Sequence, residues 1–129
     1  MRVRLRPMEP RELLRRYAAG ERDFAGAVVE GGSLRDAVLE GANLFGARFN
    51  GADLRGANLR HTYFSFGELR RADLRDAALE GADLGAADLR SASLAGANLR
   101  SANLANADLR GSDLRGADLE GATLRGVRQ

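Results

Sequence analysis

Apolar side chains recur at every fifth position of this chain, from Phe24 through Leu34, Leu39, Leu44 and Phe49 to Leu124, with Val29 the one centre that is neither Leu nor Phe. A small residue, usually Ala, stands two places before each centre, as at Ala27, Ala37, Ala42, Ala52, Ala82 and Ala117. In an α-helix five residues advance roughly 500°, so each centre would sit about 140° round from the last and no single face would be buried. In one continuous strand an odd repeat sends successive centres to opposite faces. The pattern is buried only if the backbone turns once per repeat and points every centre at a common axis. That predicts an all-β chain built as a β-solenoid, each repeat stacked on its neighbours.

The polar positions predict how many repeats make one coil. At a spacing of twenty, one column reads Glu40, Arg60, Glu80, Arg100, Glu120, with alternating charge. A second reads Arg70, Arg90, Arg110, with Glu68, Asp88 and Asp108 two places before. A third reads Arg35, Arg55, Arg75, Ala95, Arg115, beside Ser33, Asp53, Asp73, Ser93 and Asp113. A spacing of fifteen breaks the first column into Glu40, Arg55, Arg70, Gly85, Arg100, so four sides per coil are favoured over three. The twenty-one repeats then make about five coils, a rod of roughly 25 Å at about 4.8 Å per stacked strand. A slip of one coil would set like charges of the alternating column together, which predicts a role in register.

Segments such as GADLRGANLR at 51–60 and GADLGAADLR at 81–90 resemble the pentapeptide-repeat family, whose motif is A(D/N)LXX, and the resemblance runs through all twenty-one repeats. It implies a right-handed quadrilateral β-helix with four pentapeptides per coil, the centre and the small residue pointing inward and the flanking residues outward. The core is then expected to be lined by Leu34, Leu44, Leu54, Phe64, Leu74, Leu84, Leu94, Leu104 and Leu114, among the other centres. The small position departs from Ala at Arg22, Gly32, Thr62, Gly67 and Ser112, and Arg22 predicts that regular coils begin nearer Ala27. Gly at the last place of many repeats, as at Gly41, Gly46, Gly51, Gly56, Gly111 and Gly116, reads as corner turns; a phosphate loop would need a Lys and a strand-to-helix context that this pattern lacks.

Two regions follow: an N-terminal strand and capping helix over 1–23, and the β-helix over 24–129. A solenoid leaves unpaired backbone and core at its ends, so it needs caps. Residues 10–19 read as a helix, with Pro10 at its first position, Glu12 in the first turn and Gly20 as the stop. Leu13, Leu14 and Tyr17 share one face, expected to cover the first coil. Before it, Arg2-Val3-Arg4-Leu5-Arg6 alternates like a short strand, read as an Arg-protected edge strand in preference to an anion-binding arm. At the other end GATLRGVRQ carries the repeat almost to the last residue. Either polar side chains blunt that coil or it meets a second copy, and an end-to-end homodimer would hide both edges.

Composition narrows the chemistry. The chain has 129 residues, no Cys, and twenty basic residues that are all Arg. Residues 1–23 carry seven Arg and four acids (+3) and residues 24–129 thirteen Arg and fourteen acids (−1), so the rod is close to neutral despite the high isoelectric point. No apolar stretch approaches the roughly 18 residues of a membrane span, and no secretory signal is read at the start, so a cytoplasmic location is expected. The single His61 has no second His or Cys for a triad or a metal site, and the carboxylates come one per repeat beside an Arg instead of clustered. No enzyme activity, cofactor or metal is expected.

The irregular stretch His61-Thr62-Tyr63-Phe64-Ser65-Phe66-Gly67 draws notice. With four sides per coil Phe45, Tyr63 and Ser65 share a face, with His61 and Phe66 at its corners and no acid or base between Asp23 and Asp83. Phe45, His61, Tyr63 and Phe66 are therefore a candidate contact patch, the alternative being local packing over a bulged corner. Three functions stay open. The first is a non-catalytic protein-binding or scaffold module. The second comes with the resemblance: some pentapeptide-repeat proteins are DNA mimics that bind gyrase and protect it from quinolone-type inhibitors, through a strongly acidic dimeric rod that this near-neutral chain does not match. The third is nucleic-acid binding through Arg70, Arg90, Arg110 and the N-terminal arginines, which the adjacent acids disfavour.

Overall fold

The backbone bends at every fifth residue, and each bend is a residue in the left-handed region: from Gly26 to Gly126 every corner has φ between 56° and 74°. The computed structural model describes residues 3–129. Between corners each repeat is extended for only a few residues and pairs in parallel with the residue twenty positions on, from Asp23 with Asn43 through Tyr63 with Asp83 to Asp108 with Arg128. A twenty-residue register over five-residue repeats means four repeats per rung. The bonding is regular: Leu84 N–H donates to Asn103 O (2.7 Å), Asp83 N–H to Thr62 O (2.9 Å), and Ala87 N–H closes the corner on Leu84 O (3.1 Å). Every interior rung is thus tied to the one before and the one after, the arrangement of a parallel β-helix.

The core is a column of centres. Leu34, Leu44, Leu54, Phe64, Leu74, Leu84, Leu94 and Leu104 are at most 1% exposed, with Ala packed between them. Leu114 is only partly buried and Leu124 is 45% exposed, because the last rung is covered on one side alone. Phe24 is fully buried and Asp23 pairs with Asn43, so the first regular repeat starts at Phe24 and not nearer Ala27. Arg22 fits at the small position because no rung lies beyond it there: its guanidinium turns out of the core, stacks 3.7 Å from the Tyr17 ring centroid and donates to Tyr17 O (2.9 Å).

The other departures from Ala each have a local cause. The Phe64 ring packs edge-on to Phe49, centroids 5.3 Å apart, and fills the space where a Cβ on Gly67 would stand. Thr62 and Ser112 satisfy their hydroxyls on the carbonyls of Leu59 (2.9 Å) and Leu109 (2.7 Å), three residues back. A Cβ on Gly32 would collide with Pro10 of the cap. We expect Gly67→Ala to cost about 1–3 kcal/mol through overpacking, and Phe64→Leu in the same chain to recover most of it. Chemical denaturation of the single and double variants checks this; no recovery in the double variant would mean the ring is not the obstacle.

The cap comprises strand β1 (Arg6–Pro7) and helix α1 (Pro10–Ala18). Leu13 is fully buried in the core column, Leu14 and Tyr17 pack against it half-buried, and Tyr17 Oη donates to Glu40 O at 2.6 Å. The expected strand over 2–6 is displaced. Pairing runs over Arg6–Pro7, parallel to strand β2 (Ala27–Val28), and Arg2 lies outside the described residues. The first rung sets this limit: Arg6 and Met8 N–H reach Gly26 O (2.9 Å) and Val28 O (3.1 Å), and the ladder ends with the face. Pro7, which has no N–H, falls between those two donors, where none is needed.

Candidate functional site: a face with exposed aromatics

One side of the rod carries Asp23, Asn43, Tyr63, Asp83, Asn103 and Thr123 in stacked register. Near its N-terminal end the side chains turn apolar. Phe45 and Phe66 meet with centroids 5.7 Å apart and planes tilted by 57°. Tyr63 is 59% exposed and Phe66 63%, while Phe45 is half-buried and forms the floor. Asn43 holds that floor: its Oδ1 accepts Phe45 N–H (3.1 Å) and its Nδ2 donates to Asp23 Oδ1 (3.3 Å). A shallow cleft of about 810 Å³ opens there, lined by Val3, Arg4, Ala25, Phe45, Tyr63 and Ser65 among others.

Phe66 stands at a corner, with φ 58°. A left-handed conformation costs an L-residue about 1–2 kcal/mol, and most corners here use Gly, Ser, Asp or Asn. An aromatic ring held in that conformation and left 63% exposed sets against this cost its contact with Phe45, about 0.5–1.5 kcal/mol beyond the area buried. His61 occupies the opposite corner, also with φ 58°, and its imidazole lies over Gly81 of the next rung, away from Phe45. The structure therefore brings Phe45, Tyr63 and Phe66 together and leaves His61 apart. Sequence reasoning missed Val3 and Arg4, which reach the cleft only because the N-terminal segment folds back over the first rung; a Cβ on Gly46 would meet Val3 Cγ2 at 3.2 Å. The local sequence of Val3 holds no signal of this.

The neighbouring faces are charged and internally neutralised. In each Asp-Leu-Arg unit the carboxylate accepts a two-pronged pair from the Arg two places on, as in Asp53 with Arg55 (3.0 and 2.8 Å) and Asp88 with Arg90 (2.9 and 2.7 Å). Contacts to the next rung are longer, 3.6 Å for Arg55 to Asp73 and 3.8 Å for Arg90 to Asp108. These Asp-Leu-Arg pairs therefore do little to set register, whereas Arg70 lies nearer Asp88 of the next rung (3.4 Å) than its own Glu68 (3.6 Å). The alternating column pairs off as Arg60 with Glu80 (3.2 Å) and Arg100 with Glu120 (2.8 Å), while Glu40 takes its bond from Asn58 Nδ2. Among the described residues no His, Cys, Asp and Glu group suits a metal, and no helix is long and apolar enough to cross a membrane.

The ion pairs leave a titration signature. Hydrogen bonds from Arg55, Arg110 and Arg115 hold the carboxyls of Asp53, Asp108 and Asp113 down at about 2. Asp73 and Asp88 are lowered by Arg75 and Arg90, and Asp118 chiefly by the Glu120 backbone N–H. A carboxyl whose folded pKa lies below its unfolded value, about 3.9, stabilises the fold above that value and loses its effect as pH falls through the folded pKa. We expect the melting temperature to be flat down to about pH 5 and to fall between about pH 4 and 2, less steeply at high salt since the pairs are exposed. A melting series across pH at two salt concentrations checks this; a fall already complete near pH 6 would contradict it.

A family model described as pentapeptide repeats matches this chain over residues 23–61, 54–90, 68–104 and 92–128. The fold is similar to that of Rfr23, a pentapeptide repeat protein from the cyanobacterium Cyanothece 51142, with a TM-score of 0.86 at 29% identity over 92% of this chain and 93% of that one. It is also similar to alr5209, a pentapeptide repeat protein from Nostoc Pcc 7120, with a TM-score of 0.75 at 39% identity over 88% and 98%. A trypsin-treated variant of QnrB1, a plasmid-mediated fluoroquinolone resistance protein, matches with a TM-score of 0.61 at 28% identity over 83% of this chain and 51% of that one. No curated protein matches the sequence.

Proposed function

The chain belongs to the pentapeptide-repeat family, whose members form right-handed β-helices, and from that premise we propose that it is a non-catalytic protein-binding module: a four-sided rod of about five rungs that docks another protein on the face bearing Phe45, Tyr63 and Phe66. One observation carries the proposal. Phe66 projects a largely exposed ring from a left-handed corner, where a bulky L-residue is unusual, and with Tyr63 it leaves apolar surface that a partner would cover.

A set of three substitutions tests it. Phe66→Gly relieves the corner strain but loses the contact with Phe45 and carries glycine's own entropy cost of about 0.5–1 kcal/mol, so its net effect on stability should stay within about 1 kcal/mol. Joined to Phe45→Ser and Tyr63→Ser it should leave a folded rod by circular dichroism and release proteins that the unaltered chain retains. Collapse of the triple variant would mean that these rings pack the fold together and are not a docking face.

A second reading is favoured by the likeness to QnrB1: gyrase binding with protection from a fluoroquinolone. The surface argues against a DNA-like charge display, because Asp53, Asp73, Asp88, Asp108 and Asp113 are each covered by an Arg two places on. A supercoiling assay with and without fluoroquinolone decides; no effect at micromolar protein dismisses it. Nucleic-acid binding through Arg70, Arg90 and Arg110 meets the same objection, since those guanidiniums are engaged by Glu68, Asp88 and Asp108. The proposal sets the protein in the cytoplasm. It also includes a homodimer through the C-terminal rung, where Leu114 and Leu119 are half-covered; sedimentation showing only monomer at high concentration would remove that part.

A further inference from the structure

We infer that the aromatic face takes a peptide segment joining an apolar anchor to a carboxylate, the anchor seated against Phe45 and Tyr63 and the carboxylate meeting Arg4; this rests on the docking reading above.

The cleft has an apolar side and a cationic side. Phe45, Tyr63, Ala25 and Val3 supply the apolar side, with no ionisable group but Tyr63 itself between Asp23 and Asp83 along this face. At the N-terminal lip stand Arg4 and Arg6. Arg6 is committed: its Nη1 donates to Asp23 O at 3.0 Å and its Nη2 lies 3.6 Å from Glu21. Oδ1 of Asp23 accepts from Ala25 N–H (3.2 Å) and Asn43 Nδ2 (3.3 Å). Arg4 is exposed, and among the described residues no carboxylate comes within 4 Å of it.

Among the same described residues Arg11, Arg15, Arg22, Arg35, Arg71 and Arg125 also have no carboxylate within 4 Å, but of these unpaired arginines only Arg4 lines the apolar cleft. Most other arginines of the rod are engaged, as Arg48, Arg55, Arg60, Arg70, Arg75 and Arg90 are by carboxylates within 4 Å. A guanidinium without an acid, beside an apolar cleft, is complementary to an acid brought by a partner. Against an apolar wall it would be partly desolvated, where a charge-assisted pair is worth most. Tyr63 Oη and Ser65 Oγ offer neutral polar contacts at the rim, suited to a peptide backbone. A polynucleotide fits poorly, since it needs a track of bare cations and this face offers one lip.

The test is selection of a displayed library of random short peptides on the immobilised full chain, with matched selections on Arg4→Glu and on the double variant Phe45→Ser, Tyr63→Ser, each first shown to be folded by circular dichroism. The expected result is enrichment of peptides pairing Leu, Met or an aromatic residue with Asp or Glu. They should be lost on the aromatic double variant and weakened about tenfold on Arg4→Glu, which should itself no longer select acids. Peptides that need Phe45 and Tyr63 but carry no acidic bias, or that bind Arg4→Glu equally well, would overturn this inference and leave the docking face standing. Peptides indifferent to all the variants, no enrichment, or retention of nucleic acid alone would overturn both.

Discussion

Leu84→Asp should abolish cooperative folding. Leu84 is fully buried, stacked between Phe64 and Leu104 of the adjoining rungs, and every backbone donor around it is already paired. A carboxylate there finds no partner, so it must be buried as a neutral acid or expelled with its repeat. Removing the side chain alone, as in Leu84→Ala, would cost about 2–5 kcal/mol through the cavity left behind. Adding an unpartnered polar group brings the total to the scale of a whole domain's stability, about 5–15 kcal/mol. The rungs form a one-dimensional stack, so a broken middle rung also separates its two halves. Thermal unfolding followed by circular dichroism should show no sharp transition for Leu84→Asp, while Leu84→Met, which preserves volume, should lose less than about 1.5 kcal/mol. A cooperative melt for Leu84→Asp near that of the parent would mean the centre does not point inward.

The second large effect is expected at the cap. Leu13→Asp places a charge where α1 enters the core column and should detach the helix at a cost of about 3–5 kcal/mol. The damage should be local, because the rungs from Asn43 onward keep their own neighbours. Hydrogen exchange should show loss of protection at the Arg6 and Met8 amides, which donate to Gly26 and Val28 in the parent, with little change at Leu84 or Leu89. The freed carbonyls of Gly26 and Val28 form an open strand edge, so the variant should self-associate more strongly than the parent on sedimentation. If the Arg6 and Met8 amides stay protected, the N-terminal strand docks without help from the helix. The two substitutions differ in reach for one reason: a middle rung is bonded on both sides, a cap on one.

The candidate site was half legible. That Phe45, Tyr63 and Phe66 stand near one another follows from a twenty-residue register, which the charge columns disclosed. Their outward direction followed as well, since none stands at a centre position as the buried Phe49 and Phe64 do; that Phe45 is half-buried against Phe66 did not follow. His61 shows the limit from the other side: the register puts it beside Tyr63, yet its rotamer carries it toward Gly81. Arg22 looked like a broken repeat because an inward Arg is untenable in a middle rung; at the first rung it has an exit toward Tyr17.

What the linear pattern settled by itself is the inward-outward order: a period of five is incompatible with burial on one helix or one strand, so the chain must turn every fifth residue, and the centres, the small residues and the stacking interval all follow from that constraint. What only the folded chain decided is everything that depends on three-dimensional proximity between segments of unlike sequence. Val3 and Arg4 reach the aromatic cleft because the first strand pairs in parallel onto the first rung, and the Asp of each Asp-Leu-Arg unit keeps to the Arg of its own repeat because a bidentate grip two residues away is shorter than a reach across rungs, whereas Glu68, Glu80 and Glu120 take the Arg of the preceding rung. Periodicity constrains backbone direction; side-chain partners are chosen by distance and by the space that neighbouring groups leave.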